Sequence, residues 1–198
     1  MNILEIFTNS ILLIITLDNE LWDIILLSLF VSFTALIIAS LLGFIVGYYF
    51  AIYNFYFKKI ILIIINSLMG IPPVVVGLIV YFIFASGGPL GILQLLYTPS
   101  AMIIAQTIII FPIIASLSHE IFSKNWFEFK DQIRSLNIPF WGSVKLLFNH
   151  SYFLLITTLL SAFGRAISEV GAVMIVGGNI DHYTRVMTTA ISLETRMG

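Results

Sequence analysis

The chain has 198 residues, of which 60% are hydrophobic and only 10% are charged, and its formal net charge is −1. A soluble domain carries roughly 25% charged residues, so this composition excludes a water-soluble globular domain and favours the lipid bilayer as the solvent. The near-neutral charge provides no basic surface for nucleic acid. Cysteine is absent, which excludes disulfides and thiolate chemistry.

The first segment, residues 1–20, is apolar but too short to span a bilayer, which takes about 20 apolar residues. Asn2, Glu5 and Asn9 recur at helical spacing, opposite a series of isoleucine, leucine and phenylalanine side chains. This pattern predicts an amphipathic N-terminal helix that lies in the membrane interface. A loosely packed leader fits the segment equally well.

Four apolar runs follow, and each is long enough for a transmembrane helix. They cover residues 24–50, 60–84, 100–122 and 152–176. The second run contains adjacent Pro72 and Pro73, which remove two backbone donors and break the helical ladder, and Pro112 predicts a kink in the third. The predicted fold class is therefore all-α: a single polytopic transmembrane domain over residues 1–198 with about four complete spans.

Basic residues are distributed unevenly among the segments that connect these runs. Six of the nine lie at positions 54–59 and 123–151, whereas residues 85–99 and the N-terminus carry none. Because loops rich in Lys and Arg stay in the cytoplasm, we expect the two basic segments to lie inside. The N-terminus is then predicted to lie outside.

Residues 124–150 form the one long polar stretch of the sequence. Their pattern predicts a short helix, a turn at Asn137 to Pro139, and a second amphipathic helix from about Phe140 to Phe148. A compact helical element with an apolar core on a charged cytoplasmic loop is suited to docking against another protein. An ordinary surface loop is the alternative.

Arg165 and Glu169 are four residues apart inside the fourth apolar run. On one helix they would share a face and could form an ion pair. A charged side chain at this depth costs at least about 2.5 kcal/mol unless it is paired or faces water, so these residues indicate a translocation pathway or a subunit contact. The alternative is a fixed ion pair that only holds helices in register.

The polar loop resembles the EAA loop of ABC importer permeases. Asp131 stands at the acidic position of that motif, and Asn137 stands at its glycine position. Asparagine tolerates the left-handed conformation that glycine would supply there. The resemblance implies that the loop couples to an ATPase, through residues Asp131, Gln132, Ile133, Arg134, Leu136, Asn137 and Ile138.

Residues 163–179 closely resemble the oxyanion branch of ABC permeases, which handle tungstate, molybdate and sulfate. Ser-Glu-Val-Gly-Ala-Val-Met-Ile-Val-Gly-Gly-Asn within this segment looks most like tungstate permeases, as do residues 66–77, 88–91, 97–102 and 184–191. The resemblance extends from about Leu21 to the end of the chain and implies a fold like that of a type I ABC importer permease. Permeases similar to this one continue into a further apolar span, so we expect a missing C-terminal span.

The resemblance also implies partners and a gating mechanism. Two copies would form one pathway as a homodimer in the prokaryotic plasma (inner) membrane, with a cytoplasmic ABC ATPase dimer docked on the 124–150 loops and an extracytoplasmic oxyanion-binding protein outside. ATP would be used by the partner, and this chain is expected to bind no cofactor or metal and to catalyse no reaction. The expected pathway or gate residues are Pro72, Pro73, Gly77, Pro112, Arg165, Glu169 and Gly171, and the hydroxyls that could stabilise the anion are those of Thr107, Ser116 and Ser161.

Three alternatives stay open beside a tungstate importer. Molybdate or sulfate could be the substrate, because tetrahedral dianions differ little in shape and charge. A passive channel or a non-transporting membrane scaffold would need no ATPase. A membrane-embedded enzyme has little support, because the sequence lacks Gly-x-Ser-x-Gly, His-Glu-x-x-His and a glycine-rich phosphate loop.

Overall fold

The computed structural model describes residues 19–197, which are helical apart from turns and connecting segments and contain no strand. This part of the chain has seven α-helices and one 3₁₀ turn, Gly91–Leu93. The helices are α1 (Asn19–Ile52), α2 (Lys58–Leu68), α3 (Pro73–Phe84), α4 (Pro99–Ser135), α5 (Phe140–Ile167), α6 (Gly171–Gly177) and α7 (Met187–Met197). The all-α prediction is confirmed. The N-terminal helix expected in residues 1–20 falls almost entirely outside the described residues.

Three of the helices, α1, α4 and α5, are each long and apolar enough to cross a membrane. The pair α2 and α3 passes the same test together, as one broken span or a re-entrant pair, with a bend of 102° at the break. Pro73 is the first residue of α3, where a missing backbone N–H leaves no hydrogen bond unmade. The predicted interruption of the second apolar run at Pro72 and Pro73 is therefore confirmed.

The helix, turn and helix predicted in residues 124–150 are present, but the prediction that these helices are short and separate from the spans is wrong. Helix α4 continues through the charged residues to Ser135, and α5 begins at Phe140 and continues into the next apolar run. Residues 113–138 contain no glycine or proline, so nothing in the backbone ends α4 where its side chains become polar. At about 1.5 Å per residue α4 is about 55 Å long, which exceeds the roughly 30 Å of bilayer hydrocarbon.

The longest helix contact joins α1 to α4 through a stripe of small residues. The stripe consists of buried small residues at every fourth position of α1, namely Ala35, Ala39, Gly43, Gly47 and Ala51. A Cβ on Gly43 would lie 2.8 Å from Ile114 Cγ2, and a Cβ on Gly47 would lie 2.9 Å from the backbone nitrogen of His119. Small residues at a spacing of four let membrane helices approach closely, and here they fix α4 against α1.

The connecting segments around residues 94–98 and 177–186 form hydrogen bonds to α6. The backbone N–H of Tyr97 donates to the Val176 carbonyl at 2.8 Å. Gly178, with φ of 73°, ends α6 in the left-handed conformation, and the Thr184 hydroxyl donates to the Gly177 carbonyl at 2.6 Å. Helix α6 is therefore a short helix with bonded ends that packs against α3 and α4.

Candidate functional site

A cavity of about 280 Å³ lies where the α2–α3 break, α4 and the last turn of α5 meet. Most of its walls are apolar side chains, among them Met69 and Ile71 from the break itself. The polar contributions come from Thr107 on α4 and Arg165 on α5. Three of the residues singled out from the sequence therefore line one space: Thr107, Pro112 and Arg165.

The expected ion pair between Arg165 and Glu169 is absent. Helix α5 ends at Ile167, so the two residues do not share a helix face. Glu169 is buried, and its Oε1 accepts a hydrogen bond from the backbone N–H of Ala172 at 3.1 Å. This bond satisfies a donor at the start of α6, where the helix dipole also favours a carboxylate. The exposed Arg165 guanidinium makes no hydrogen bond or ion pair with any other residue in the range 19–197.

The two expected gate glycines, Gly77 and Gly171, lie where α3 packs against α6. A Cβ on Gly77 would lie 2.7 Å from Ala172 Cα, and a Cβ on Gly171 would lie 2.5 Å from Val74 Cγ2. The Gly77 contact is with the backbone of Ala172, so only glycine allows it, whereas the Gly171 contact is with the Val74 side chain. Both helices follow an interruption of the chain, so two interrupted segments contact each other directly beside the cavity that Val76 of α3 also lines.

Gln106 is a functional candidate that the sequence reasoning missed. It is buried, and its Nε2 donates to the Ala166 carbonyl at 3.0 Å, which joins α4 to the last turn of α5. Its Oε1 and the neighbouring Thr107 Oγ1 are both covered and have no hydrogen-bond partner in the described part of the chain. An amide within an apolar span is a signal of function that could have identified Gln106 from the sequence.

The other two expected hydroxyls already have partners. Ser116 donates to Asn66 Oδ1 at 2.5 Å, which links α4 to α2. Ser161 donates to the carbonyl of Thr157, one turn earlier in its own helix, at 2.9 Å. Neither residue lines the cavity that contains Thr107 and Arg165.

The residues with an expected coupling role lie at the opposite end of α4 and α5, around the turn that joins these helices. Asn137 has φ of 47°, and the backbone N–H of Ile138 donates to the Ile133 carbonyl at 3.0 Å. The predicted turn at Asn137 is confirmed. The side chain of Ile133 is buried and anchors the turn, whereas Leu136 is 72% exposed. The exposed members of the set are Asp131, Gln132, Arg134, Leu136 and Asn137.

One group of possible metal ligands, which the sequence did not suggest, lies at the N-terminal end of α1. Donor atoms of Glu20, Asp181 and His182 lie within 4.8 Å of one another, and all three residues are exposed. Asp181 is already paired with Arg185 at 2.8 Å. We assign no metal to this group, because Arg185 partly neutralises one of its two carboxylates and its side chains are open to water.

Interrupted spans beside a cavity that is mostly apolar but contains a few polar groups, in a multi-pass helical protein, are typical of transport proteins. The family model for the binding-protein-dependent transport system inner membrane component matches residues 39–197, and the chain belongs to this family. The resemblance to ABC permeases is thereby confirmed.

Characterised relatives narrow the class further. The chain is 40% identical over 196 residues to the tungstate uptake system permease protein TupB of Peptoclostridium acidaminophilum, covering 99% of this chain and 86% of the relative. It is 41% identical over 147 residues to the protein of the same name from Campylobacter jejuni, and this match covers 74% of this chain and 61% of the relative. It is 38% identical over 176 residues to a probable anion ABC transporter permease protein of Haloferax volcanii, and this match covers 86% of this chain and 76% of the relative.

Proposed function

We propose that the chain is the membrane-spanning permease subunit of an ATP-driven importer that carries tungstate across the cytoplasmic membrane. The 40% identity over 196 residues to a permease of a tungstate uptake system carries this proposal. The relative named for anion transport supports the same class of cargo at 38% identity. Among the described residues, the cavity lining contains the Arg165 guanidinium, which has no ion-pair partner there, and no carboxylate, and this lining suits a negatively charged substrate.

The proposal includes an orientation with the N-terminus outside. The hydroxyls of Tyr48 and Ser143 lie 3.2 Å apart, so the C-terminal end of α1 lies beside the start of α5. Both basic segments, 54–59 and 123–151, are therefore at one end of the helix bundle, and the positive-inside rule supports a cytoplasmic position for that end.

The natural lack of cysteine makes this orientation directly testable. A single cysteine at Ser135, which is exposed at the inner end of α4, should react with a membrane-impermeant maleimide only after the cells are opened. A single cysteine at Gly87, in the outer connection, should react in intact cells. The reverse labelling pattern would contradict the orientation.

The turn at Asn137 is proposed to dock on a cytoplasmic ATPase dimer, with Asp131 and Arg134 at its exposed rim. Leu136 and Trp141 are 72% and 79% exposed at this end, although both are apolar. Such side chains beyond the spans favour a protein partner. Because α4 and α5 continue unbroken from this turn into the membrane, a displacement of the turn is transmitted directly to the cavity.

Gating is proposed to use the interruptions of the spans. The breaks at Pro72–Pro73 and at Ser168–Val170 let α3 and α6, joined at Gly77 and Gly171, move as one unit against α4 and its Pro112. Two copies of the chain would place two such units around one pathway. An extracytoplasmic binding protein would deliver the anion to the outer end, and the exposed apolar faces of the spans would contact lipid.

The direct test is metal uptake by cells with and without this gene. Cells would receive equal trace concentrations of tungstate and molybdate with excess sulfate, and cell-associated tungsten and molybdenum would be measured by mass spectrometry. We expect energy-dependent tungsten accumulation that requires the gene and that molybdate barely suppresses.

Each other outcome has a distinct meaning. Equal, gene-dependent accumulation of both metals would replace the tungstate importer by a general oxyanion importer. Accumulation that persists after ATP depletion would favour a passive channel. No dependence on the gene for either metal would contradict the proposed function.

A further inference from the structure

We propose that Arg165 and Thr107 form a transit site for a tetrahedral oxyanion, in the cavity between the α2–α3 break, α4 and the end of α5. The inference rests on the proposed function and names the groups that contact the anion during passage. The relatives' names state a cargo, but they do not locate its contacts in the membrane-spanning part.

The charge of the cavity is the first observation. Among the described residues, Arg165 is the one ionisable residue that lines the cavity, and the Glu169 carboxylate accepts a hydrogen bond from the backbone N–H of Ala172. The positively charged guanidinium forms no ion pair with any described residue. An unpaired charge within a membrane costs at least about 2.5 kcal/mol, and a passing dianion would supply the missing partner. The planar fork of arginine also matches two oxygens of an oxyanion.

The position of Thr107 is the second observation. It lies eight residues after the start of α4, which places it about 12 Å along the helix from the outer end. Its Oγ1 is covered and has no hydrogen-bond partner among residues 19–197, although buried hydroxyls are normally bonded. A hydroxyl in this state is a donor available to an anion. Because the oxygen is covered in this conformation, it contacts the anion when the α2–α3 break moves.

Gln106 positions the two contacts. Its Nε2 donates to the carbonyl of Ala166 at 3.0 Å. Because Gln106 precedes Thr107 and Ala166 follows Arg165, this bond holds the two contact residues close together. The cavity volume of about 280 Å³ corresponds to about nine water molecules, which leaves room for a five-atom anion that keeps part of its hydration. The remaining walls are apolar and offer no further donor from a side chain, so the anion is held weakly and can leave.

The experiment uses the complete transporter, with its ATPase and binding protein, in proteoliposomes. Tungstate uptake and binding-protein-stimulated ATP hydrolysis are measured for the wild type, Arg165→Gln, Arg165→Lys and Thr107→Val. The matched control is Thr157→Val, because Thr157 is an exposed residue of α5 whose hydroxyl bonds to its own helix at 3.0 Å.

We expect Arg165→Gln to lower the uptake rate about tenfold or more while ATP hydrolysis is unchanged, because a charge-assisted contact with the anion is lost. Arg165→Lys should give an intermediate rate. Thr107→Val should lower uptake by about two- to tenfold, as expected for one neutral hydrogen bond. The Thr157→Val control should match the wild type.

Wild-type uptake by Arg165→Gln would overturn the inference, and so would an equal loss of uptake and ATP hydrolysis, which indicates a role in assembly or coupling. If Arg165→Gln does not assemble, Thr107→Val decides, and a wild-type rate for that variant overturns the site. If the wild-type complex moves no tetrahedral oxyanion at all, the proposed function fails, whatever the variants do.

Discussion

Replacing Gly77 by alanine tests whether the close contact between α3 and α6 supports stability and transport. The new Cβ would lie 2.7 Å from Ala172 Cα and 3.1 Å from the Ala172 carbonyl oxygen. Carbon atoms pack best at about 3.5–4.0 Å, so the two helices must separate by about 1 Å. The obstructing atoms belong to the backbone and cannot rotate away. We therefore expect a loss of about 1–3 kcal/mol in the free energy of unfolding.

The assay is thermal unfolding of the purified transporter in detergent, combined with ATP-driven tungstate uptake in proteoliposomes. Gly164→Ala is the matched control, because it is the same change within a helix and its Cβ would meet no atom within 4 Å. The control should be unchanged or more stable by up to about 1 kcal/mol, owing to the higher helix propensity of alanine. Equal melting temperatures and uptake rates for the two variants would refute the reasoning.

Three further predictions concern packing, the turn and the buried carboxylate. Gly47→Leu should greatly reduce the yield of folded protein in membranes, because the new Cβ would lie 2.9 Å from the His119 backbone nitrogen. A normal yield would contradict the close contact between α1 and α4. Asn137→Val should slow ATP-driven uptake, because φ of 47° costs a residue with a branched Cβ roughly 1–2 kcal/mol. Asn137→Gly should not slow uptake, because glycine adopts this conformation without strain. Equal uptake rates for the two variants would contradict a left-handed turn at this position. Glu169→Ala should lower unfolding stability by about 1–3 kcal/mol, because the buried Ala172 N–H loses its acceptor. Glu169→Gln keeps a hydrogen-bond acceptor and should therefore lose less unfolding stability than Glu169→Ala. Equal losses in the two variants would show that the charge of Glu169, and not its hydrogen bond, is responsible.

The features that the sequence predicted well depend on local backbone chemistry. The adjacent Pro72 and Pro73 remove two successive backbone donors, and the structure has its 102° bend at this point. Asn137 adopts the left-handed conformation before Pro139, which ends one long helix and starts the next. Both features are encoded within a few residues, so they can be identified without knowledge of the packing.

The pairing of Arg165 with Glu169 could not be judged from spacing. The sequence between them contains no proline or glycine, so it is compatible with a continuous helix. Helix α5 nevertheless ends at Ile167, where the Glu169 side chain satisfies the start of α6 and the Thr188 hydroxyl donates to the Glu169 carbonyl at 2.8 Å. The second bond involves a residue beyond the next turn, which only the folded chain brings close.

The candidate site was predictable in part. The residue types were apparent, because a basic residue and hydroxyls in apolar spans indicate function. The sequence did not show which of the hydroxyls is available to an anion. Ser116 and Ser161 looked equivalent to Thr107 until the structure showed that both already have hydrogen-bond partners. The role of Gln106 also depends on a contact between α4 and α5, which are far apart in the sequence at that point.

The most direct test of the account is ATP-driven uptake by the reconstituted system. Vesicles that contain this chain with its ATPase, supplied with binding protein and tungstate, should accumulate tungsten only when ATP is present at the cytoplasmic face. Vesicles that lack this chain should accumulate none. Tungsten entry that needs neither ATP nor the binding protein, or no entry in the complete system, would contradict the conclusion that the chain is the permease of a tungstate importer.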